Sequence, residues 1–120
     1  MSKPPPDTGL QAFKADFFKA LAHPVRVRIL EILRDRERSV QELQDALGLD
    51  QSTVSQQLAV LRSRHIVTGR KEGTTVRYTA RDPLVGDLLD VARRIFNNQL
   101  VGSQTMLRAL KQEHRRRGDR

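Results

Sequence analysis

The sequence predicts a mainly α-helical fold with a small β-hairpin, and three observations support this prediction. Hydrophobic residues make up 38% of the chain and aromatic residues only 4%, which favours aliphatic helices over an aromatic-rich β-sandwich. Apolar residues recur at helical spacing along most of the chain, and the period changes to two only between residues 67 and 80. A length of 120 residues corresponds to one domain. We predict that this domain spans residues 11–110, between a flexible leader at 1–10 and a basic tail at 111–120.

Two amphipathic helices are predicted in the first third of the chain. The first carries an apolar row that includes Phe13 and Phe17, and the second begins after the break at Pro24. His23 directly precedes this proline, where we expect it to cap or pack the helix rather than to bind a metal ion.

Two shorter helices with a tight turn are predicted next. Ser39 and Glu42 have the spacing of a capping box, and Gly48 suits the end of the helix that the box begins. Asp50 is placed to cap the following helix. In that helix Val54, Leu58 and Leu61 should face inward and its small polar residues outward.

The remaining elements are a basic hairpin and a long helix. Residues 67–72 and 75–80 alternate as strands around Gly73. Asp82 can cap the last helix, with Pro83 at its first position. The apolar stripe of this helix is too wide for one contact within so small a chain, so we predict a homodimer through the first and last helices. The predicted interface residues are Phe13, Phe17, Leu84, Leu88, Val91 and Ile95.

A helix pair followed by a basic hairpin is the layout of a winged helix-turn-helix, whose second helix enters the DNA major groove. The runs ALAHPVRVRIL at residues 20–30 and LGLDQSTVSQQLAVLR at residues 47–62 closely resemble the ArsR/SmtB family of bacterial transcriptional regulators. The resemblance covers roughly residues 12–98. It implies a dimeric, sequence-specific DNA-binding protein on an inverted-repeat operator, acting as repressor or activator.

The resemblance also implies which residues contact double-stranded DNA. Those matching the base-facing positions of the family are Gln51, Ser52, Ser55 and Gln56, whose amides and hydroxyls can hydrogen-bond to base edges. The predicted backbone contacts lie in the same helix and in the hairpin, where cations displace the counterions of DNA. They are Thr53, Arg62, Arg64, Arg70, Lys71, Thr74, Thr75 and Arg77. The alternatives are an ordinary solvated hairpin and, for the two arginines at the end of the helix, a charge that complements the helix dipole.

The charge and the rare residue types limit the function further. A net charge of +8 favours polyanionic partners, and most of this excess lies in residues 51–82 and 111–120. The chain has no Cys, and its third and last helices lack the residues with which relatives sense metals. Among the histidines, we expect His65 to end a helix, and His114 is a weak candidate for a metal ligand. We therefore predict no cofactor.

Two functions are consistent with the sequence: a DNA-binding regulator and a winged-helix interaction module. An enzyme is not expected, because no nucleophile with a base, metal site or phosphate loop is visible. The alternative to a regulator that senses its own signal is a winged-helix interaction module acting with a separate sensor protein that carries the metal or ligand. The chain lacks a signal sequence and a membrane span, so the sequence predicts a cytoplasmic protein with no membrane partner.

Overall fold

A computed structural model of the chain describes residues 8–99 and 104–118. The elements in chain order are α1 (Thr8–Leu21), α2 (Pro24–Leu33), β1 (Arg38–Ser39), α3 (Val40–Leu47), α4 (Gln51–Ser63), β2 (Val67–Glu72), β3 (Thr75–Ala80), α5 (Leu84–Gln99) and α6 (Gln104–Gly118). The described residues group into two compact units, one ending at Val85 and the other beginning at Gly86. In these two described ranges no helix is long and apolar enough to cross a membrane.

The start of α2 confirms the structural role predicted for His23. This residue occupies the cap position in an extended conformation, and its Nδ1 atom accepts a hydrogen bond of 3.1 Å from the Val25 N–H. Pro24 follows at the first position of the helix, where its missing N–H costs nothing. The preceding helix, α1, begins at Thr8, inside the stretch 1–10 that the sequence assigned to a leader, and residues 1–7 lie outside the described ranges.

The capping box at the start of α3 is also present as predicted. The Ser39 hydroxyl accepts from the Glu42 N–H at 3.1 Å, and the Glu42 carboxylate accepts from the Ser39 N–H at 2.9 Å. Gly48 ends the helix in the left-handed conformation, with φ at +69°, and its N–H donates to the Gln44 carbonyl. The sharp turn into α4 therefore depends on glycine at this position.

The end of α4 has an unusual residue in its turn. His65 adopts a φ of +60°, the left-handed region that a side chain with a Cβ enters at a cost. Its N–H donates to the Arg62 carbonyl at 3.0 Å, and the Ile66 N–H donates to the Leu61 carbonyl at 2.9 Å. This pair of bonds is the Schellman motif, so His65 occupies the position usually given to glycine.

The hairpin predicted from the alternating pattern has the expected bounds, and the structure adds a third strand. β2 and β3 pair antiparallel around Gly73, and the two-residue strand β1 pairs with the other edge of β3, so the order is β1-β3-β2. A two-residue strand carries no periodic signal, which explains why the sequence analysis missed it. Gly69 allows close packing, since a Cβ there would lie 3.0 Å from Val76 Cγ1 and 3.1 Å from Tyr78 Cε1, and these side chains would have to shift to admit it.

The core of the first unit lies beneath the helix pair and the sheet. Its deeply buried side chains, each at most 2% exposed, include Ile29, Leu30, Leu43, Val54, Leu58, Leu61 and Val67. They come from α2, α3, α4 and β2, so the helix-turn-helix and the hairpin share one apolar centre.

The second unit contains a helix that the sequence analysis did not predict. Asp82 caps α5 as expected, because its carboxylate accepts from the Leu84 N–H at 2.9 Å, and Pro83 precedes the first helical residue instead of occupying it. Downstream, residues Lys111 through Gly118 of the predicted basic tail continue α6. The half-buried Leu107 and Leu110, three residues apart, supply the apolar side of that helix.

Candidate nucleic-acid interface

The outer face of α4 presents small, uncharged polar side chains on a rigid support. Gln51, Ser52 and Gln56 are exposed and Ser55 is half-buried, so the structure brings the four predicted base-reading residues to one side of the helix. The opposite side carries Val54, Leu58 and Leu61, which are at most 2% exposed. Because this buried row holds the helix in place, the polar row can be presented to a partner at a fixed position.

The first turn of α4 differs from the predicted capping. Asp50 has the extended conformation of a cap residue, but its side chain makes no capping bond to the backbone. Its carboxylate instead accepts hydrogen bonds from the Ser52 and Thr53 hydroxyls, and these two bonds lower the pKa of Asp50. Both hydroxyl protons are therefore already donated. Thr53 would have to release Asp50 before it could donate to a phosphate oxygen.

The hairpin of β2 and β3 is the wing of the predicted winged helix-turn-helix, and two of its arginines are paired with carboxylates. The Arg70 guanidinium lies 2.6 Å from Glu37 and 3.0 Å from Glu72, and these contacts raise the pKa of Arg70. Arg77 lies 2.9 Å from Glu42 and 3.4 Å from Glu37, and only 22% of its side chain is exposed. Both arginines are among the predicted contacts to the DNA backbone, and in this structure their charges are paired within the protein.

The tip of the wing carries the other predicted backbone residues. Lys71, Thr74 and Thr75 are all exposed beside the turn at Gly73, whose φ is +64°. Lys71 lies at the end of β2, where its main-chain partner is the apolar Val76. A cation and two hydroxyls at an exposed turn can donate to phosphate oxygens with little rearrangement.

The two arginines at the end of α4 have different surroundings. Arg62 is exposed in the last turn, where its charge also complements the helix dipole. Arg64 follows the helix, and its guanidinium lies 4.0 Å from the Asp16 carboxylate of α1. The structure thus directs Arg64 toward α1, although half of its side chain remains exposed.

Glu42 joins the helix pair to the wing, a role that the capping pattern alone did not predict. The same carboxylate oxygen accepts from the Ser39 N–H and from the Arg77 guanidinium, each at 2.9 Å. The hydrogen bond from the Ser39 backbone, followed by the charge of Arg77, lowers the pKa of Glu42. The start of α3 and the middle of β3 are consequently held by one side chain.

Two further contacts were not found from the sequence. Glu37 approaches Arg70 across 33 positions of sequence, and the Arg26 guanidinium donates to the Gln57 amide oxygen at 3.3 Å across 31 positions. Neither pair is local, so no periodic pattern indicates it. The alternation of β2 and β3 places Arg70 and Arg77 on one face, and this was the one available signal that a carboxylate would be needed nearby.

The comparisons with known proteins identify the family. The sequence model described as "Bacterial regulatory protein, arsR family" matches residues 23–68. The chain is 44% identical over 103 residues to the "Uncharacterized HTH-type transcriptional regulator Rv0081" of Mycobacterium tuberculosis, an alignment that covers 85% of this chain and 90% of that one. The chain belongs to the ArsR family of bacterial transcriptional regulators.

Solved structures of similar chains confirm the winged helix-turn-helix fold of this ArsR-family protein. The crystal structure of Rv0081 from M. tuberculosis superposes with a TM-score of 0.72 at 44% identity, covering 84% of this chain and 97% of that one. The solution structure of the homodimeric winged helix-turn-helix DNA-binding domain Mb0332 of Mycobacterium bovis also gives 0.72, at 29% identity and with coverage of 83% and 93%. The family consists of transcriptional regulators, as the sequence predicted, and not of enzymes.

The regulator exposes large apolar side chains on α1 and on α5. Of the predicted interface residues, Phe13 is 74% exposed, Leu84 66%, Ile95 49% and Val91 43%, whereas Phe17 and Leu88 are half-buried. Phe18 is also exposed and stacks edge-on against Phe17, with ring centres 5.6 Å apart. The helical row predicted for α1 did not include Phe18.

Potential metal ligands are scattered in this ArsR-family chain. Within residues 8–99 and 104–118 no three His, Asp or Glu side chains come close enough to hold a metal ion. His114, the weak candidate, is exposed on α6 beside Lys111 and Arg115, where positive charge opposes the binding of a cation.

Proposed function

We propose that this ArsR-family regulator acts in the cytoplasm as a homodimer on an inverted-repeat operator. The recognition helix α4 of each protomer enters the major groove, and the wing contacts the flanking backbone. The two copies of α4 then lie about one DNA turn apart, ~34 to 36 Å, so the symmetry of the operator follows that of the dimer.

One observation carries the proposal of base recognition. The exposed side of α4 bears amides and hydroxyls and no charged residue between Gln51 and Arg62, while its other side is fully buried. Solubility alone would be served equally well by Lys and Glu. Amide side chains can form paired hydrogen bonds with adenine, so we assign readout to Gln51 and Gln56. Ser55 contributes a hydroxyl, and the Ser52 oxygen can accept from a base while its proton is donated to Asp50.

The contacts to the DNA backbone divide into two groups under this proposal. Lys71, Thr74 and Thr75 reach phosphates directly from the wing tip. Arg70 and Arg77 must first exchange a carboxylate partner for a phosphate, which reduces the gain from each contact. Arg62 extends the same surface from the end of α4, and the contact of Thr53 depends on release from Asp50.

A homodimer would cover the apolar side chains that the described residues leave exposed. Phe13 on α1 and Leu84, Val91 and Ile95 on α5 present large hydrophobic surfaces to solvent, at a cost that pairing with a second copy removes. The similar domain of M. bovis is described as homodimeric, which supports the same assembly here.

We further propose that the chain lacks the metal-sensing sites of its relatives. The absence of Cys and the scattered carboxylates and histidines of the described residues support this view. The separate sensor protein considered in the sequence analysis stays a prediction.

The proposal is tested by selecting binding sites from a pool of random duplex DNA and measuring their affinity by fluorescence anisotropy. We expect an inverted repeat with half-sites about one turn apart, and binding that weakens steeply as salt rises. We also expect nickel, zinc and cobalt to leave the affinity unchanged. Failure to enrich any sequence would contradict base readout, and release by one of these metals would contradict the absence of a metal site.

A further inference from the structure

A concave groove of about 420 Å³ lies within the second unit, between α5 and α6. From α5 it is lined by Arg93, Arg94 and Asn97. From α6 it is lined by Lys111 and Arg115, together with the side chains of Leu110 and His114. A volume of this size falls in the range of small-molecule sites, roughly 300 to 1,000 Å³.

The groove has a strong excess of positive charge. Four permanent cations line it, and the Glu113 carboxylate lies 2.6 Å from the Arg93 guanidinium. This ion pair is mostly buried, with 15% of the Arg93 side chain and 28% of the Glu113 side chain exposed. One cation is thereby neutralised, and the net charge of the lining remains positive.

The lining also offers apolar surface to a ligand. Leu110 contributes a branched aliphatic side chain, and the arginine and lysine residues contribute their methylene stems. Asn97 adds an amide that can donate a hydrogen bond. A ligand that matches this combination carries an anionic group on an apolar body. A metal cation is disfavoured by the same charges.

The groove can coexist with the proposed dimer. Successive residues of a helix turn by about 100°, which places Arg93 and Asn97 roughly opposite the row formed by Leu88, Val91 and Ile95 on α5. Pairing of that row with a second copy would leave Arg93 and Asn97 accessible, and Arg94, which lies about 60° from Val91 around the helix, would border the interface. Its concave shape and limited volume favour a small molecule over a duplex, whose phosphates meet convex helices and wings.

We propose that the groove between α5 and α6 binds an amphipathic organic anion, with a carboxylate, sulfonate or phosphate group held by Arg94, Lys111 and Arg115. The apolar part of the ligand lies against Leu110 and the side-chain stems. The assignment goes beyond the proposed DNA-binding function and does not depend on it, because binding of such a ligand can be measured without DNA.

The test uses the full-length protein and the fluorescent anion anilinonaphthalene sulfonate, with the uncharged dye Nile red for comparison. We expect saturable binding of the anion, and a rise in its dissociation constant of at least about fivefold for Arg94→Gln and for Lys111→Gln, because charge-assisted hydrogen bonds are lost. Arg116→Gln removes the same charge from an exposed position of α6 outside the lining and should bind normally.

Backbone amide shifts in a two-dimensional NMR titration locate the probe on the chain. Perturbations concentrated at residues 93–97 and 110–115 support the proposal, provided that circular dichroism shows unchanged helix content in the variants. Equal weakening by Arg116→Gln would indicate general attraction, and perturbations confined to α1 would place the dye on the exposed phenylalanines. Either result, or no binding, overturns the proposal.

Discussion

Arg70 and Arg77 occupy directly opposing positions on β2 and β3, so their guanidinium groups share one face of the wing. Like charges in opposing positions of an antiparallel pair repel each other. One carboxylate oxygen of Glu37 lies 2.6 Å from Arg70 and 3.4 Å from Arg77, and it relieves this repulsion. Glu37 therefore stabilises the wing in the absence of DNA by pairing with Arg70 and Arg77. These are the same two arginines that we propose to contact the DNA backbone.

Replacing Glu37 with Gln should have opposite effects on folding and on DNA binding. The melting temperature should fall, because the two arginines lose their shared carboxylate. The affinity for any DNA sequence should rise, because Arg70 keeps only Glu72 and Arg77 keeps only Glu42 as a carboxylate partner, and each then exchanges that partner for a phosphate more readily. The slope of log affinity against log salt concentration should steepen by up to about one unit. Asp45→Asn removes the same charge from an exposed position of α3 and is the control. Equal affinities for the two variants would refute the idea that Glu37 restrains the wing.

Gln56→Ala tests base readout by α4. We expect a loss of about 1 to 3 kcal/mol on the selected operator and no change on random DNA, since only the operator offers a matching base edge. Anisotropy titrations on both DNAs measure the difference. Gln41→Ala is the matched control, because Gln41 is also exposed but lies on α3, where it donates to Asp45. A uniform loss on both DNAs would mean that Gln56 contacts the backbone instead.

Ile95→Glu tests the proposed dimer. Ile95 is 49% exposed, so the single chain should still fold, while a carboxylate at the interface would have to be buried without a partner. Sedimentation velocity should then show monomers, and operator binding should weaken sharply. Asn97→Glu introduces the same side chain on the other side of α5 and should remain dimeric. If the Ile95 variant still sediments as a dimer, the interface lies elsewhere.

Glu42→Gln tests the link between the capping box and the wing through its pH dependence. Contacts with Ser39 and Arg77 lower the pKa of Glu42 in the folded protein, so the unfolded chain binds a proton more readily. Stability from this group is complete above the unfolded pKa and is lost as the pH falls through the folded one. The free energy of unfolding in urea, measured from pH 7 into the acid range, should depend less on pH in the variant, and Gln can retain the capping hydrogen bond. The same pH dependence in both proteins would argue against a role of the Glu42 charge in stability.

His65→Gly should stabilise the protein. The left-handed conformation at the end of α4 is strained for a residue with a Cβ, and relief of that strain outweighs the greater freedom of glycine in the unfolded chain. We expect a gain of about 0.5 to 1 kcal/mol in the free energy of unfolding, measured with urea. Ser63→Gly is the control, because position 63 is still helical and glycine there should destabilise. A loss of stability for His65→Gly would show that the imidazole makes a compensating contact.

Local patterns allowed most of the fold to be predicted. The capping box at Ser39, the left-handed Gly48 and the hairpin around Gly73 each depend on residues within a few positions of one another, so their geometry follows from spacing. Burial of Val54, Leu58 and Leu61 follows from helical periodicity for the same reason. Strand β1 was not predicted because two residues are too few to show a periodic pattern. Helix α6 was not predicted because its two leucines stand among many polar residues, which weakens the helical pattern.

The sequence by itself determined the helix pair, the hairpin and the polar row on α4, because local hydrogen bonding and hydrophobic period specify these features. The family was indicated by the resemblance of residues 20–30 and 47–62 to its members. The tertiary structure decided which charges and hydroxyl groups of that surface are available to contact a partner. Asp50 binds the hydroxyls of Ser52 and Thr53, and Glu37 and Glu42 hold Arg70 and Arg77. The contacts with Glu37 and Glu42 join side chains more than 30 positions apart, and only folding brings such groups within reach of one another.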